Sequence, residues 1–423
     1  MQREDGFAHA AAESVARGGY GKLVAFLAAR THDVAAAEDA LSEAFAAALT
    51  DWPATGVPEK PEAWLLTVAR RKAIDASRRH RSKEVASDHL RLMARELQAM
   101  EATAGKASIP DERLALMFAC AHPAIDQGIR APLILQTLLG FDAAAIASAF
   151  LVSPAAMGQR LTRAKAKIRD ARIPFRVPER ADLAERLEAV LDAIYAAFAE
   201  GWTDPLGMET RRRNLAEEGI FLGRLVASLL PHEPEALGLL ALMLHAQARR
   251  SARRGTEGDY VPLAEQDPML WDSRLIEEGE TLLRRAGAMR AIGRYQLEAA
   301  VQSAHVVRRL TGRADWVAIE KLYDALMVLT GSPVVAVNRA VAIAETRGAR
   351  AALEALDALA GDRRLAAYQP YWAARAGLLE RAGDSVAADE AYARAIELEV
   401  DPAVRRFLQA RRAELSAGSS TMG

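Results

Sequence analysis

The sequence predicts an all-α protein of several domains, and three observations support this fold class. Hydrophobic residues make up 51% of the 423 positions, alanine is the dominant residue type, and runs of β-branched and aromatic residues are scarce. Apolar residues instead recur at helical spacings along much of the chain. Because a single domain has roughly 150 residues, a chain of this length is expected to form two to four domains.

Composition and the N-terminal residues exclude several classes of protein. Cys120 is the only cysteine, which excludes a disulfide framework. Cys120 and His122 are too few to close a tetrahedral zinc site, so we expect no metal and no cofactor. No apolar stretch approaches the roughly 20 residues of a membrane span, and the N-terminus lacks the apolar core of a signal peptide. We therefore expect a cytoplasmic protein without a membrane partner.

Positive charge is concentrated in the N-terminal part of the chain. Residues 1–177 contain 24 Lys and Arg against 20 Asp and Glu, whereas the remaining residues contain 31 against 36. Two stretches, 70–83 and 160–172, are especially basic. The N-terminal part is therefore the expected partner of a polyanion.

Residues 142–172 predict two helices around a turn. The first helix covers about 143–150, and the turn falls at 151–152. Ser153 then supplies an N-cap oxygen, and Pro154 suits the first helical position, where no backbone N–H is needed. On the second helix the apolar residues recur at spacings of four, three and four and form one buried stripe: Met157, Leu161, Ala164 and Ile168.

The opposite face of this second helix is suited to duplex DNA. Along its centre lie Ala155, Gln159, Thr162 and Ala166, with Arg160, Arg163 and Lys167 on one flank and Lys165 and Arg169 on the other. Small or neutral residues can approach base edges in the major groove, while the flanking cations contact phosphates. The alternative is an ordinary solvated basic face on a helical hairpin.

Residues 33–81 predict an acidic helix, a stiff loop and a basic helix. The acidic helix has an apolar side of Ala37, Leu41, Ala44, Phe45, Ala48 and Leu49, and exposed polar residues Glu38, Asp39, Ser42 and Glu43. Three prolines and a glycine within 52–61 predict a loop there. The next helix, starting near Glu62, places Trp64, Arg71 and Arg78 on one face, which suits stacking of unpaired bases. Alternatively, Trp64 belongs to the core.

The order of these motifs resembles that of bacterial sigma factors of the extracytoplasmic-function group, group IV of the sigma-70 family. The motifs are AEDALSEAF, a proline-containing loop, EAWLLTVARRKAIDASRR, a linker and AAAIASAFLVSPAAMGQRLTRAKAKIR, and the resemblance covers roughly residues 7–175. It implies a sigma-2 domain at 1–83, a linker at 84–110 and a sigma-4 helix-turn-helix domain at 111–175. It also implies a protein that is not itself an enzyme. Its partners would be the β′ clamp and β flap of RNA polymerase core and promoter DNA.

By position, the resemblance assigns roles to individual residues. Those implied to bind core polymerase are Glu38, Asp39, Leu41 and Glu43. Those implied to bind the minus-ten element are Trp52, Trp64, Arg70, Arg71, Lys72, Arg78 and Arg79. Those implied to bind the minus-thirty-five element are Ala155, Gln159, Arg160, Thr162, Arg163, Lys165 and Lys167, the two lysines as phosphate contacts. Two positions depart from the family, which often has glutamine in place of Ser42 and asparagine in place of Arg71.

The chain continues for about 245 residues beyond the predicted sigma-4 domain. Pro174 and Pro178 mark the boundary, after which helical periodicity resumes. Near the end, residues at tetratricopeptide-repeat (TPR) offsets predict a helical TPR-like domain at 178–415, followed by a flexible end at 416–423: Trp372, Ala376, Gly383, Ala388, Tyr392 and Ala395.

The whole chain resembles sigma factors with a long helical C-terminal extension. This implies a regulatory or protein-binding tail with an unidentified protein partner, and a stabilising appendage is the alternative. For the chain as a whole, the alternatives are a helix-turn-helix regulator or a TPR-like scaffold that acts without polymerase.

Overall fold

The computed structural model describes residues 2–80, 111–150, 152–202 and 210–420. These residues form nineteen α-helices and two short 3-10 helices, with no strand beyond one isolated β-bridge between Arg254 and Tyr260. The predicted all-α class is confirmed. Among the described residues, no helix is long and apolar enough to cross a membrane. The chain divides into two compact units, Met1–Glu200 and Gly201–Gly423.

The first unit contains eight described helices. They are α1 (Gln2–Thr31), α2 (Val34–Thr55), α3 (Pro61–His80), α4 (Arg113–Cys120), α5 (Gln127–Leu139), α6 (Ala143–Ala149), α7 (Pro154–Asp170) and α8 (Arg180–Trp202). The predicted linker at 84–110 lies outside the described residues. The unit extends to Glu200, so most of α8 falls within it although the sequence predicts that the tail begins at 178.

Within this unit α1 packs against helices from both predicted sigma regions. It contacts α2 and α3 of the predicted sigma-2 domain and α4 and α5 of the predicted sigma-4 domain. Gly21 makes the closest approach, because a Cβ added there would lie 2.2 Å from the carbonyl oxygen of Leu138 in α5. Tyr20 packs beside Gly140, whose φ of 72° is in the left-handed region that favours glycine. The predicted sigma-2 and sigma-4 segments therefore form one packed body.

The second unit is a series of helices that pack mainly on their neighbours in the sequence. They are α9 (Thr210–Leu229), α10 (Pro234–Ala248), α11 (Ser273–Ala288), α12 (Arg294–Val306), α13 (Arg308–Thr311), α14 (Trp316–Thr330), α15 (Pro333–Arg347), α16 (Ala349–Asp357), α17 (Gln369–Ala382), α18 (Ser385–Leu398) and α19 (Pro402–Ser420). Helix α19 runs through Ser420 and so overlaps the end predicted to be flexible at 416–423, whose flexibility stays a prediction.

Helix α10 is the centre of the first part of this second unit. It packs against α9, α11 and α12. The Glu235 carboxylate at its start accepts hydrogen bonds from the backbone N–H groups of Tyr295 (2.9 Å) and Gln296 (3.1 Å). These N–H groups belong to the first turn of α12 and have no partner within their own helix, so Glu235 acts as a cap supplied by another helix.

The last part of the second unit shows the packing that the repeat-like residues predict. Helices α17 and α18 are paired around a turn at Gly383, whose φ is 86°. The small residues Ala376, Ala388 and Ala395 are fully buried between helices, and Tyr392 is buried with them. Trp372 is partly buried and packs on the same cluster. The assignment of these pairs to the TPR class stays a prediction.

Candidate nucleic-acid interface

Helix α7 is oriented by its N-terminal cap and by its apolar stripe. The Ser153 hydroxyl accepts a hydrogen bond from the backbone N–H of Ala156 (3.3 Å), and Pro154 occupies the first turn, as the sequence predicts. All four stripe residues are buried: Met157, Leu161, Ala164 and Ile168. They pack the helix onto α2, α5 and α6, so its opposite face is fixed outward.

The outward face of α7 carries most of the residues predicted to contact the minus-thirty-five element. Ala155, Gln159, Thr162, Arg163 and Lys167 are exposed. Arg160 is half-buried and its guanidinium lies 3.6 Å from the Asp126 carboxylate. With Arg163 and Lys167, Arg160 lines an open groove of about 400 Å³ whose other wall includes Asp126 and Ile129. Three cations beside one carboxylate give this groove a net positive charge, which suits a phosphate backbone.

The second flank of α7 is covered by α2. The Lys165 ammonium donates a hydrogen bond to the Glu38 carboxylate, and only 11% of the lysine side chain and 12% of the glutamate side chain are exposed. One turn further along α7, the Arg169 guanidinium lies 3.7 Å from the carboxylate of Asp33. Lys165, predicted to contact phosphate, and Glu38, predicted to contact polymerase, are therefore paired with each other in this structure.

The pKa of the Glu38 carboxyl is raised, and Lys165 only partly offsets the rise. Burial raises the pKa of its carboxyl above the ordinary value, while Lys165 lowers it and the neighbouring carboxylates Asp39 and Asp33 raise it further. The same environment raises the pKa of Tyr20, through burial first and then through Glu38 and Asp39. The acidic end of α2 is thus partly desolvated on the side that faces α1 and α7.

Several other acidic and basic residues of α2 and α3 are accessible. Asp39 and Glu43 are exposed, and Glu43 forms an ion pair with Lys72 of α3 at 3.2 Å with about half of each side chain exposed. Arg71 is exposed, whereas the Arg70 guanidinium lies 5.5 Å from the ring centroid of Phe26. Acidic and basic predicted contacts therefore adjoin on one surface.

Two predicted contact residues need correction because they are buried. Leu41 is fully buried, since it belongs to the apolar stripe of α2, and offers no surface to polymerase. Trp52 is only 2% exposed and its ring meets that of Trp64 edge-on, with 5.5 Å between centroids. Trp52 therefore cannot stack on a base in this structure, and the half-buried Trp64 is part of the same contact.

The predicted loop at 52–61 is also shorter than expected. Helix α2 continues to Thr55, with Pro53 in its last turn, and ends at Gly56, whose N–H donates to the Trp52 carbonyl. Helix α3 is confirmed as far as His80, but the side chains of Arg78 and Arg79 lie outside the described part of the chain.

Two residues of this interface are not identified by sequence reasoning. Asp33 begins a predicted helical segment, yet it both caps α2, by accepting from the Ala36 N–H, and faces Arg169. Asp126 caps α5 and also faces Arg160. A capping aspartate can be recognised from the sequence. Its second partner is more than thirty residues away in the chain, so only the tertiary structure identifies it.

The described residues contain no group of three or more histidine, cysteine or acidic side chains that could hold a metal ion. Cys120 is buried, its sulfur lies 3.6 Å from the Thr137 hydroxyl, and burial raises the pKa of its thiol to about 12. A thiol with such a pKa is unreactive at neutral pH, so Cys120 packs as a small core residue.

Comparisons with known proteins place a sigma-70 segment at the N-terminal end. Residues 19–83 match the family model Sigma-70 region 2, and residues 186–287 match a family of unknown function (DUF6596). An uncharacterized protein of Rhizobium meliloti (strain 1021) is 39% identical over 390 residues, which cover 91% of each chain. No solved structure matches the chain. The chain therefore belongs to the same family as this uncharacterized Rhizobium protein, and its helices α1–α3 carry a segment similar to region 2 of sigma-70 factors.

Proposed function

We propose that the protein is a sigma factor of the extracytoplasmic-function group, which binds RNA polymerase core and directs it to specific promoters. The observation that carries this proposal is the outward face of α7. A capped helix presents Gln159 and Thr162 beside the basic flank of Arg160, Arg163 and Lys167, in the same compact unit as a Sigma-70 region 2 match. Polar side chains between phosphate-binding cations are what a helix needs to read base edges.

The proposed roles are divided between α2, α3 and α7. The exposed carboxylates Asp39 and Glu43, together with Glu38, would contact the β′ clamp of polymerase. Arg71 and Lys72, with the neighbouring basic residues of α3, would contact the minus-ten element. The α7 face would contact the minus-thirty-five element, and its sigma-4 domain would also engage the β flap.

Charge reversal on α2 tests the polymerase contact. In the double variant Asp39→Arg/Glu43→Arg, reversed charges at a complementary interface should cost several kcal/mol, which is at least a tenfold loss of affinity for purified core polymerase. The matched control is Asp51→Arg/Glu59→Arg, which makes the same charge change at exposed residues outside the proposed surface. Equal affinities of the two folded double variants would contradict the polymerase contact.

A helix-turn-helix regulator that acts without polymerase would give a different result. Such a protein would select its operator among duplex sequences by itself. A sigma factor should instead require core polymerase for sequence selection. Promoter selection from a pool of random duplexes, with and without core polymerase, distinguishes the two functions.

For the second unit we propose a regulatory or protein-binding role. Support comes from apolar side chains left exposed around α14 and α15, including Val328 (90% exposed) and Val317 (59%). Because the first unit ends at Glu200, a chain truncated after this residue should keep its fold and still bind core polymerase. We expect promoter-dependent transcription by the truncated chain to fall. Equal transcription by both chains would leave the second unit as a stabilising appendage.

A further inference from the structure

Four arginines of the second unit are withdrawn from solvent around one buried tryptophan, and we call them the arginine cluster. Arg249, Arg253 and Arg254 follow the C-terminal end of α10, and Arg308 is the first residue of α13. None of the four side chains is fully exposed. The guanidinium groups of Arg249 and Arg308 lie 6.0 Å and 5.8 Å from the ring centroid of Trp271, which is only 3% exposed. The cluster is therefore part of the interior of this unit.

Most hydrogen bonds of the cluster go to neutral oxygens. Three of the arginines donate to uncharged acceptors: Arg249 to the side-chain oxygen of Gln302, Arg253 to the carbonyl of Trp202, and Arg308 to the carbonyls of Leu263 and Gln266. Arg254 forms an ion pair with Asp401. Among the described residues, these hydrogen bonds bring one carboxylate to four positive charges.

Arg249 is the member whose charge is compensated least. Its Nε is buried and has no hydrogen-bond partner among the described residues, and the same holds for one terminal nitrogen of Arg254. Burial, and then the charge of Arg253, lower the pKa of Arg249 to about 10, while Tyr323 and Tyr260 offset only part of this change. A buried charge is stable only when it is paired, and an unsatisfied buried donor in a native protein often marks the place of an ion. The cluster therefore has donors and charge available for an anion.

The cluster lies where the first and last parts of the second unit meet. Arg254 reaches Asp401 just before α19, and the ring of Tyr260 meets that of Phe407 in α19 edge-on, with 5.6 Å between centroids. These partners are 147 positions apart in the chain. Groups from both parts of the unit thus hold the arginines in place.

We propose that the arginine cluster is a binding site for a small oxyanion, a phosphate or a carboxylate group, held through Arg249 and its neighbour Arg253. A guanidinium presents a planar fork of donors that matches both of these groups, and a charged hydrogen bond is roughly twice as strong as a neutral one. A bound anion also stabilises the contact of this segment with α19. The inference goes beyond the proposed sigma function and does not depend on it, because every residue concerned belongs to the second unit.

Hydrogen exchange in the full chain tests the site directly. Sodium phosphate is added in steps while sodium chloride keeps the ionic strength constant, and sodium citrate replaces phosphate in a second series. We expect the protection of amides in 249–272 and at the start of α19 to rise and then saturate. Saturation with phosphate assigns a phosphate ligand, and saturation with citrate assigns a carboxylate ligand. No saturable rise in either series overturns the proposal.

Arg249→Met removes the charge and keeps a side chain of similar length. It should weaken anion binding about tenfold or more, because charged hydrogen bonds are lost. Without added anion its protection should equal or exceed that of the wild type, since replacing a poorly compensated buried charge by an apolar group is often neutral or stabilising. The matched control is Arg285→Met at an exposed position of α11, which should bind the anion as the wild type does. Equal affinities in the Arg249 and Arg285 variants would show that the protection comes from a general salt effect and would overturn the site.

Arg249→Lys keeps the test valid if Arg249→Met does not fold, as judged by its circular dichroism. Lysine retains the positive charge but has no Nε and no planar fork, so we expect about threefold or more weaker binding with the fold preserved. An affinity equal to that of the wild type in this variant would contradict the assignment of the anion to the Arg249 guanidinium.

Discussion

The close contact between α1 and α5 can be tested with one methyl group. Gly21 lies inside α1, where alanine is favoured over glycine by about 1 kcal/mol through helix propensity. Its added Cβ, however, would lie 2.2 Å from the Leu138 carbonyl oxygen and 3.0 Å from the Leu138 Cα. Because both atoms belong to the backbone, no side-chain rotation relieves the contact, and α1 and α5 must move apart.

The size of the effect follows from these two opposing contributions. Overpacking of this kind costs about 1 to 3 kcal/mol, which offsets the propensity advantage and leaves Gly21→Ala less stable by up to about 2 kcal/mol. Gly158→Ala is the matched control in the same unit. Its Cβ would meet only the Ala143 Cβ at 4.0 Å, an ordinary contact, so it should be more stable than wild type by about 0.5 to 1 kcal/mol.

Hydrogen exchange in the full chain measures the difference in stability between the two variants at α1 and α5, where it arises. Amides in α1 and α5 should exchange faster in Gly21→Ala and no faster in Gly158→Ala, while amides of the second unit stay unchanged in both. If α1 and α5 are protected in Gly21→Ala as well as in Gly158→Ala, the two helices do not approach as the structure shows. The conclusion that the two predicted sigma segments pack into one body would then be wrong.

Three further expectations concern pH, the core and the outward face of α7. Burial lowers the pKa of His245 and of His305 to about 4, so both favour the neutral form when folded. Their contribution to stability is present above the unfolded pKa near 6.5 and is lost as pH falls towards 4. The free energy of unfolding of the second unit, measured in urea, should therefore fall by about 2 kcal/mol per histidine between pH 7 and pH 5. Trp52→Ala should lower the free energy of unfolding of the first unit, measured in urea, by about 3 to 5 kcal/mol. Trp52→Phe should lower it by less than about 1.5 kcal/mol, because the buried indole N–H of Trp52 has no described hydrogen-bond partner to lose. Arg163→Ala should relax sequence preference at one promoter position and cost about 1 to 3 kcal/mol of binding free energy. Lys167→Ala should instead weaken binding to all promoters alike and make the affinity less dependent on salt concentration. The same selection profile in both variants would contradict base contact by Arg163.

The sequence predicted well those features that depend on residues close together in the chain. The Ser153 cap and the buried stripe of α7 follow from spacings of three and four residues, and both are present. The small residues Ala376 and Ala388 are likewise buried where the repeat pattern places them. In each case one helix or one helical pair contains the whole signal.

The end of α2 shows where local rules fail. A proline in a helix interior costs about 3 kcal/mol, so Pro53 predicts a loop. In the structure Trp52 is buried against Trp64, and this packing keeps the last turn helical in spite of the proline. Leu49, predicted on the apolar side, is instead exposed, because the buried side follows Ala44, Ala48 and Trp52. Tertiary packing decided both outcomes.

The contact between α2 and α7 could not be predicted from either segment alone, since its main ion pair, Glu38 with Lys165, joins residues 127 positions apart. The reason it forms is nevertheless contained in the predicted roles. An acidic helix that is predicted to bind a basic polymerase surface and a basic helix that is predicted to bind DNA are also complementary to each other in charge, so the two helices can pair within one chain.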